Sequence, residues 1–95
     1  SPTFTLVQTY DTPAGAVWHF DLYRLEAPDE ALELGLEEAL AGGICLIEWP
    51  DRLGTLLPRD RLDVALEFGA TESARRARLT GYGSWAARVE RVDPR

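Results

Sequence analysis

Phe20-Asp21-Leu22-Tyr23-Arg24-Leu25 and Ile47-Glu48-Trp49-Pro50-Asp51-Arg52 are the stretches on which the fold of this chain turns. Each places an acidic residue at the end of an apolar run that reads as a strand. Ile44-Cys45-Leu46-Ile47 is short and continuously apolar, the pattern of a buried, parallel strand. Glu48 closes that run and Pro50 ends it. An acid just past such a strand lies at the carboxyl edge, where open α/β sheets present ligands. Two carboxylates at strand ends suit a site that handles a metal ion and a phosphate, because hard divalent cations take oxygen ligands. From the local pattern alone, Glu48 also reads as an ordinary solvated strand-end acid. Asp21 also reads as an ion-pair partner of Arg24 or a cap for the helix that follows.

Working outward, residues 3–10 alternate and are rich in Thr, Phe, Val and Tyr, which predicts a strand. Asp11-Thr12-Pro13-Ala14-Gly15 is turn chemistry, and Ala16 to Tyr23 reads as a second strand. Pro28 followed by Asp29 and Glu30 is a helix start, with acids at the positive end of the dipole. Leu32, Leu36, Ala39 and Leu40 keep helical spacing, Gly35 interrupts them, and Gly42-Gly43 closes the run. Asp51 to Leu57 reads as a short helix or loop. Arg61 to Phe68 alternates as an amphipathic strand, with Ala74 to Tyr82 as its partner across a turn. Ser84 is placed to cap a short helix carrying Trp85 and Val89. The sequence shows no repeat, low-complexity tract or internal domain boundary.

Composition narrows the classes. A chain of 95 residues is one small domain or part of one, and at this size it can bury roughly 60–65% of its unfolded surface. No apolar run approaches the roughly 20 residues that span a bilayer. The lone Cys45 has no internal disulfide partner, and a buried thiol in a reducing cytoplasm is expected. The net charge is −6, unevenly spread: residues 1–48 hold nine acids and one base, Arg24, and residues 49–95 hold seven acids and nine arginines. An acidic half argues against nonspecific nucleic-acid binding, which depends on basic surface. No lysine occurs at all, and no Gly-x-x-x-x-Gly-Lys-Ser/Thr phosphate loop. His19 has no Cys or His companions, so it makes no zinc site and is assigned a structural role. Nothing resembles a nucleophile elbow.

The two acid-bearing stretches, together with Ser1-Pro2-Thr3-Phe4-Thr5-Leu6-Val7, resemble the TsaE family in its own order over residues 1 to about 80. That family supplies the small P-loop ATPase of the bacterial machinery making threonylcarbamoyladenosine in tRNA. The resemblance implies a three-layer α/β, P-loop NTPase-like domain, truncated at its N-terminus, with residues 1–95 as the later portion of one ATPase domain. It implies Glu48 serving a magnesium ion and Trp49 packing close to ATP or ADP. Asp21 is implied as a catalytic carboxylate that orients the attacking water, accepts its proton, or holds magnesium through a water. Thr3 is implied in catalysis, because its hydroxyl can reach a γ-phosphate or the metal when its loop orders around nucleotide. Arg75 aligns with a family arginine near the nucleotide base, and the bland alternative for Arg75-Arg76-Ala77-Arg78 is a solvated strand face. TsaB-like and TsaD-like partners are implied, with cytoplasmic location, no direct sequence-specific nucleic-acid binding and no membrane contact. The family's phosphate loop should precede Ser1, so the chain as it stands is expected to be trimmed or excerpted and to bind ATP weakly. The competing class is a noncatalytic module whose acidic 26–38 segment docks on a partner.

Overall fold

Alternation along Gly15–Asp21 sends Trp18 and Phe20 to one face of a strand and Val17, His19 and Asp21 to the other. This strand, β2, is the centre of a three-stranded sheet. Val7–Thr12 forms β1 and pairs with it antiparallel, Val7 opposite Phe20 and Thr12 opposite Gly15. Ile44–Glu48 forms β3 and pairs with β2 in parallel, from Val17 opposite Ile44 to Asp21 opposite Glu48. The expected parallel strand is therefore present. The computed structural model describes residues 6–92. These fall into two compact units that divide between Leu57 and Pro58.

In the first unit the connection from β2 to β3 carries two short helices. Asp29–Glu33 is α1 and Leu36–Gly42 is α2. Glu30 reinforces the start of α1, its Oε1 accepting from the backbone N–H of Glu26 at 2.8 Å and of Ala27 at 2.9 Å. Gly35 separates the helices, as its position in the sequence predicts. Its φ of 94° lies in the left-handed region that glycine adopts without penalty. A side chain there would also meet Trp18, with Cζ3 at 3.3 Å from the added carbon. The buried core is Phe20, Leu22, Leu25, Ala31, Leu36, Ala39 and Leu53. Each fully buried Phe or Leu contributes about 1.5–3 kcal/mol relative to an exposed one. Trp18 and Phe20 lie nearly parallel, ring centroids 6.3 Å apart. Past β3, Pro50–Leu56 forms 3-10 turns broken at Gly54, and Leu53 is the residue they bury.

The continuous apolar run of β3 predicts burial on both faces. Cys45 and Ile47 do turn toward the core, but Ile44 and Leu46 are exposed. Among the described residues the core packs against the Cys45 and Ile47 face of β3, and the Ile44 and Leu46 face is left open.

The second unit is a hairpin with a helical tail. Arg61–Phe68 forms β4 and Arg75–Tyr82 forms β5, paired antiparallel from Arg61 opposite Tyr82 to Phe68 opposite Arg75. Trp85–Arg88 is α3, followed by a 3-10 turn at Val89–Arg91. Ser84 precedes α3 as expected but makes no side-chain cap bond. Its own N–H donates to Asp60 Oδ1 at 2.9 Å instead, tying the helix start back to the hairpin. No described residue of this unit is fully buried.

Candidate functional site at the carboxyl ends of β2 and β3

The parallel register sets Asp21 and Glu48 opposite each other. Neighbouring strands run about 4.7–4.9 Å apart, and residues in register point to the same face. Both carboxylates therefore lie side by side on the exposed face, at the last residues of their strands. The backbone continues the pairing one step, Leu22 N–H donating to the Glu48 carbonyl at 3.2 Å. Leu22 is fully buried and anchors this end of β2 from the opposite face.

Each acid already has a local partner. Asp21 Oδ1 accepts from the N–H of Tyr23 at 3.2 Å, which turns the chain sharply out of the strand. Glu48 Oε2 lies 2.6 Å from Nε2 of His19. His19 precedes Asp21 by two residues, so the strand period puts it on the same face. The sequence reading missed this pair, because His19 and Glu48 are 29 residues apart and meet only through the parallel register. The single signal available was the shared parity of His19 and Asp21 along one strand.

Beside the acids, the strand exits carry an aromatic pair. Trp49 and Tyr23 touch, ring centroids 4.9 Å apart and planes tilted by 52°. Both are about half exposed, at 52% each. The guanidinium of Arg52 lies 5.8 Å from the centre of the Tyr23 ring. Trp49 is the one described non-glycine residue with positive φ, at 60°. A residue with a Cβ pays roughly 1–2 kcal/mol for that conformation. It turns the chain abruptly after Glu48, and the indole is left half exposed.

Two candidates remain. Thr3 falls outside the described residues. Arg75 belongs to the second unit, where its guanidinium sits 4.9 Å from the centre of the Phe68 ring and Nη1 donates to the carbonyls of Glu72 and Ala74 at 3.1 and 2.9 Å. Those contacts are all within its own hairpin. Among the described residues, no group of three or more His, Cys, Asp or Glu side chains is arranged to hold a metal ion. The pair of carboxylates nevertheless fits magnesium, which is commonly held by one or two carboxylates, with water and substrate phosphates completing its shell. Nor is any described helix long and apolar enough to cross a membrane.

The model of the family described as "Threonylcarbamoyl adenosine biosynthesis protein TsaE" matches residues 1–77. The chain belongs to the TsaE family. A tRNA threonylcarbamoyladenosine biosynthesis protein TsaE from Rickettsia bellii is 54% identical over 68 residues, covering 72% of this chain and 47% of the relative. The protein of the same name from Bacillus subtilis is 36% identical over 85 residues, covering 88% of this chain and 52% of the relative. The chain thus spans about half the length of the curated relatives it matches. Among solved structures, Bacillus subtilis YdiB superposes with a TM-score of 0.72 at 27% identity, over 96% of this chain and 56% of that one. The expected mixed α/β class and the TsaE membership both stand. The family match reaches across β1–β3 and part of the hairpin, so it includes Asp21, Glu48, Trp49 and Arg75.

Proposed function

We propose that this chain forms the acidic wall of a magnesium-dependent ATP-hydrolysing site that serves threonylcarbamoyladenosine formation in tRNA. The observation that carries the reading is the register of β2 with β3, which sets Asp21 against Glu48 at adjacent strand ends in a TsaE family member. Glu48 and Asp21 would hold the magnesium between them, Glu48 directly. The ion, when bound, neutralises charge on the phosphates during transfer. Asp21 would orient the attacking water or accept its proton. Its carboxylate is held by the Tyr23 N–H, which limits its rotation. Trp49 offers an exposed ring face for the nucleotide beside those acids. Thr3 would contribute a hydroxyl, and Arg75 a contact to the base.

The 95 residues contain no lysine, so the cation that meets the terminal phosphates in P-loop enzymes has no candidate within them. Hydrolysis is best assayed with the N-terminal segment of the Bacillus subtilis relative joined ahead of Ser1. TsaB-like and TsaD-like proteins are the partners to include, since the family's hydrolysis is proposed to reset their complex in the cytoplasm and not to perform the transfer.

In that joined protein, Glu48→Gln should lower magnesium-dependent ATP turnover by at least about 100-fold, the scale of a lost general-base or electrostatic contact. Asp21→Ala should do the same with little change in melting temperature, because the side chain is exposed. Wild-type turnover by either variant would remove that residue from the site. Capture of the partners by the joined protein with no ATP turnover would favour the noncatalytic docking module.

A further inference from the structure

We propose that His19 is a positioning residue that aims the Glu48 carboxylate, a role that rests on the magnesium reading of Glu48. The geometry is direct. Nε2 of His19 lies 2.6 Å from Oε2 of Glu48, a short and strong hydrogen bond. The register explains it. His19 stands opposite Leu46, and Glu48 is the next residue on that face of β3. The Leu46 side chain offers no polar atom, so on β3 the hydrogen-bond partner of the imidazole is Glu48. On the other side of β2, His19 faces Gln8 of β1. The Gln8 Oε1 accepts from the Tyr10 hydroxyl at 2.6 Å, so that oxygen is already engaged.

The consequence follows from the flexibility of a glutamate. A half-exposed Glu at a strand end samples several rotamers, and each ion it binds must first order them. Tying Oε2 to the imidazole orders the side chain in advance and leaves Oε1 as the open oxygen. Carboxylates that hold metals are commonly fixed by such outer hydrogen bonds, and losing one typically weakens the metal by about 10–100-fold. His19 is itself about two-thirds covered, so the ring is steadied by its strand neighbours. Nothing in this role needs His19 to touch the nucleotide.

The test uses His19→Leu, which keeps the bulk and removes the donor, and His19→Gln, which returns an N–H at similar reach. Manganese serves as the probe for the magnesium site. Its binding is followed by loss of the free-ion electron paramagnetic resonance signal, and turnover is measured against magnesium concentration, both in the joined protein with ATP. His19→Leu should weaken manganese and raise the magnesium half-saturation by about tenfold, with a smaller fall in the maximal rate. His19→Gln should recover most of the affinity. In a Glu48→Gln background, His19→Leu should add no further loss. An unchanged manganese affinity in His19→Leu overturns the proposal, as does full additivity with Glu48→Gln. Equal loss in both His19 variants, with a matching drop in melting temperature, overturns it in favour of a packing role. If the unaltered protein binds no manganese, the magnesium reading itself fails and this role falls with it. Binding by the unaltered protein with indifference to His19 sinks the positioning role alone.

Discussion

The two units of this chain are stabilised in different ways. The first, ending at Leu57, contains all seven core residues that are buried among those described. The second, from Pro58, buries none completely, and its Val64, Leu66 and Phe68 stand exposed, Leu66 at 76% and Phe68 at 82%. It relies on a long ladder and on arginines laid over rings. Arg61 lies 4.0 Å from the centre of the Tyr82 ring, Arg75 stands over Phe68, and Arg88 lies 3.7 Å from the Trp85 ring centre. Such contacts are worth about 0.5–1 kcal/mol each at exposed sites. The difference bears on function. A carboxylate pair is useful only if its strands hold still, and Asp21 is flanked by Phe20 and Leu22, both fully buried on the opposite face. Among the described residues of its unit none is buried, so Arg75 has no comparable anchor there.

The contrast breaks most visibly at two phenylalanines. Phe20→Ala should remove about 3–5 kcal/mol from the first unit, since a buried ring leaves a cavity. Phe68→Ala should cost no more than about 1 kcal/mol, the scale of an exposed cation–π contact. Urea denaturation followed by tryptophan fluorescence would measure both. A large loss at Phe68 would mean that its face is covered in solution, and the distinction between the units would need revising.

Gly35→Ala sharpens the comparison at an intermediate scale. It forces a Cβ into a left-handed conformation and against Trp18. A loss of about 1–2 kcal/mol is expected. Gly69→Ala in the second unit is its counterpart and should also cost stability, because an added carbon there would lie 2.7 Å from the Ala74 Cβ across a local turn. If thermal melts show Gly35→Ala to be neutral, the Trp18 contact does not constrain the helix pair.

The smallest effect concerns Cys45, which stands opposite Trp18 on the core side of β3. Burial pushes its thiol above the ordinary value. The thiolate is the nucleophile, so alkylation by iodoacetamide near neutral pH should be slower than for a free thiol and should accelerate on denaturation. The folded thiol keeps its proton over a pH range in which the unfolded one has lost it. Stability from this group is therefore intact below the unfolded thiol's pKa and declines as pH rises toward the folded value. Alkylation at the rate of a small free thiol in the native chain would show that β3 opens readily.

Much of the fold was legible in the residues. Alternation in Arg61–Phe68, the partner strand expected at Ala74–Tyr82, the Pro28 start, the Gly35 break and the apolar run ending in Glu48 each reflect a local rule, and the observed elements follow them. The two acids at strand ends and the TsaE resemblance were likewise readable without coordinates. Local rules do not say which strand lies beside which, or which face is covered. Only the tertiary structure put Asp21 in register with Glu48, brought His19 to Glu48 across 29 residues, and left Ile44 and Leu46 exposed in a run that reads as buried. The left-handed backbone of Trp49 was equally hidden, because an aromatic residue has no preference for it and accepts it only when its neighbours require the turn. Hydrophobic period is a property of one segment. Register and strain belong to pairs of segments, and these were settled when the chain packed.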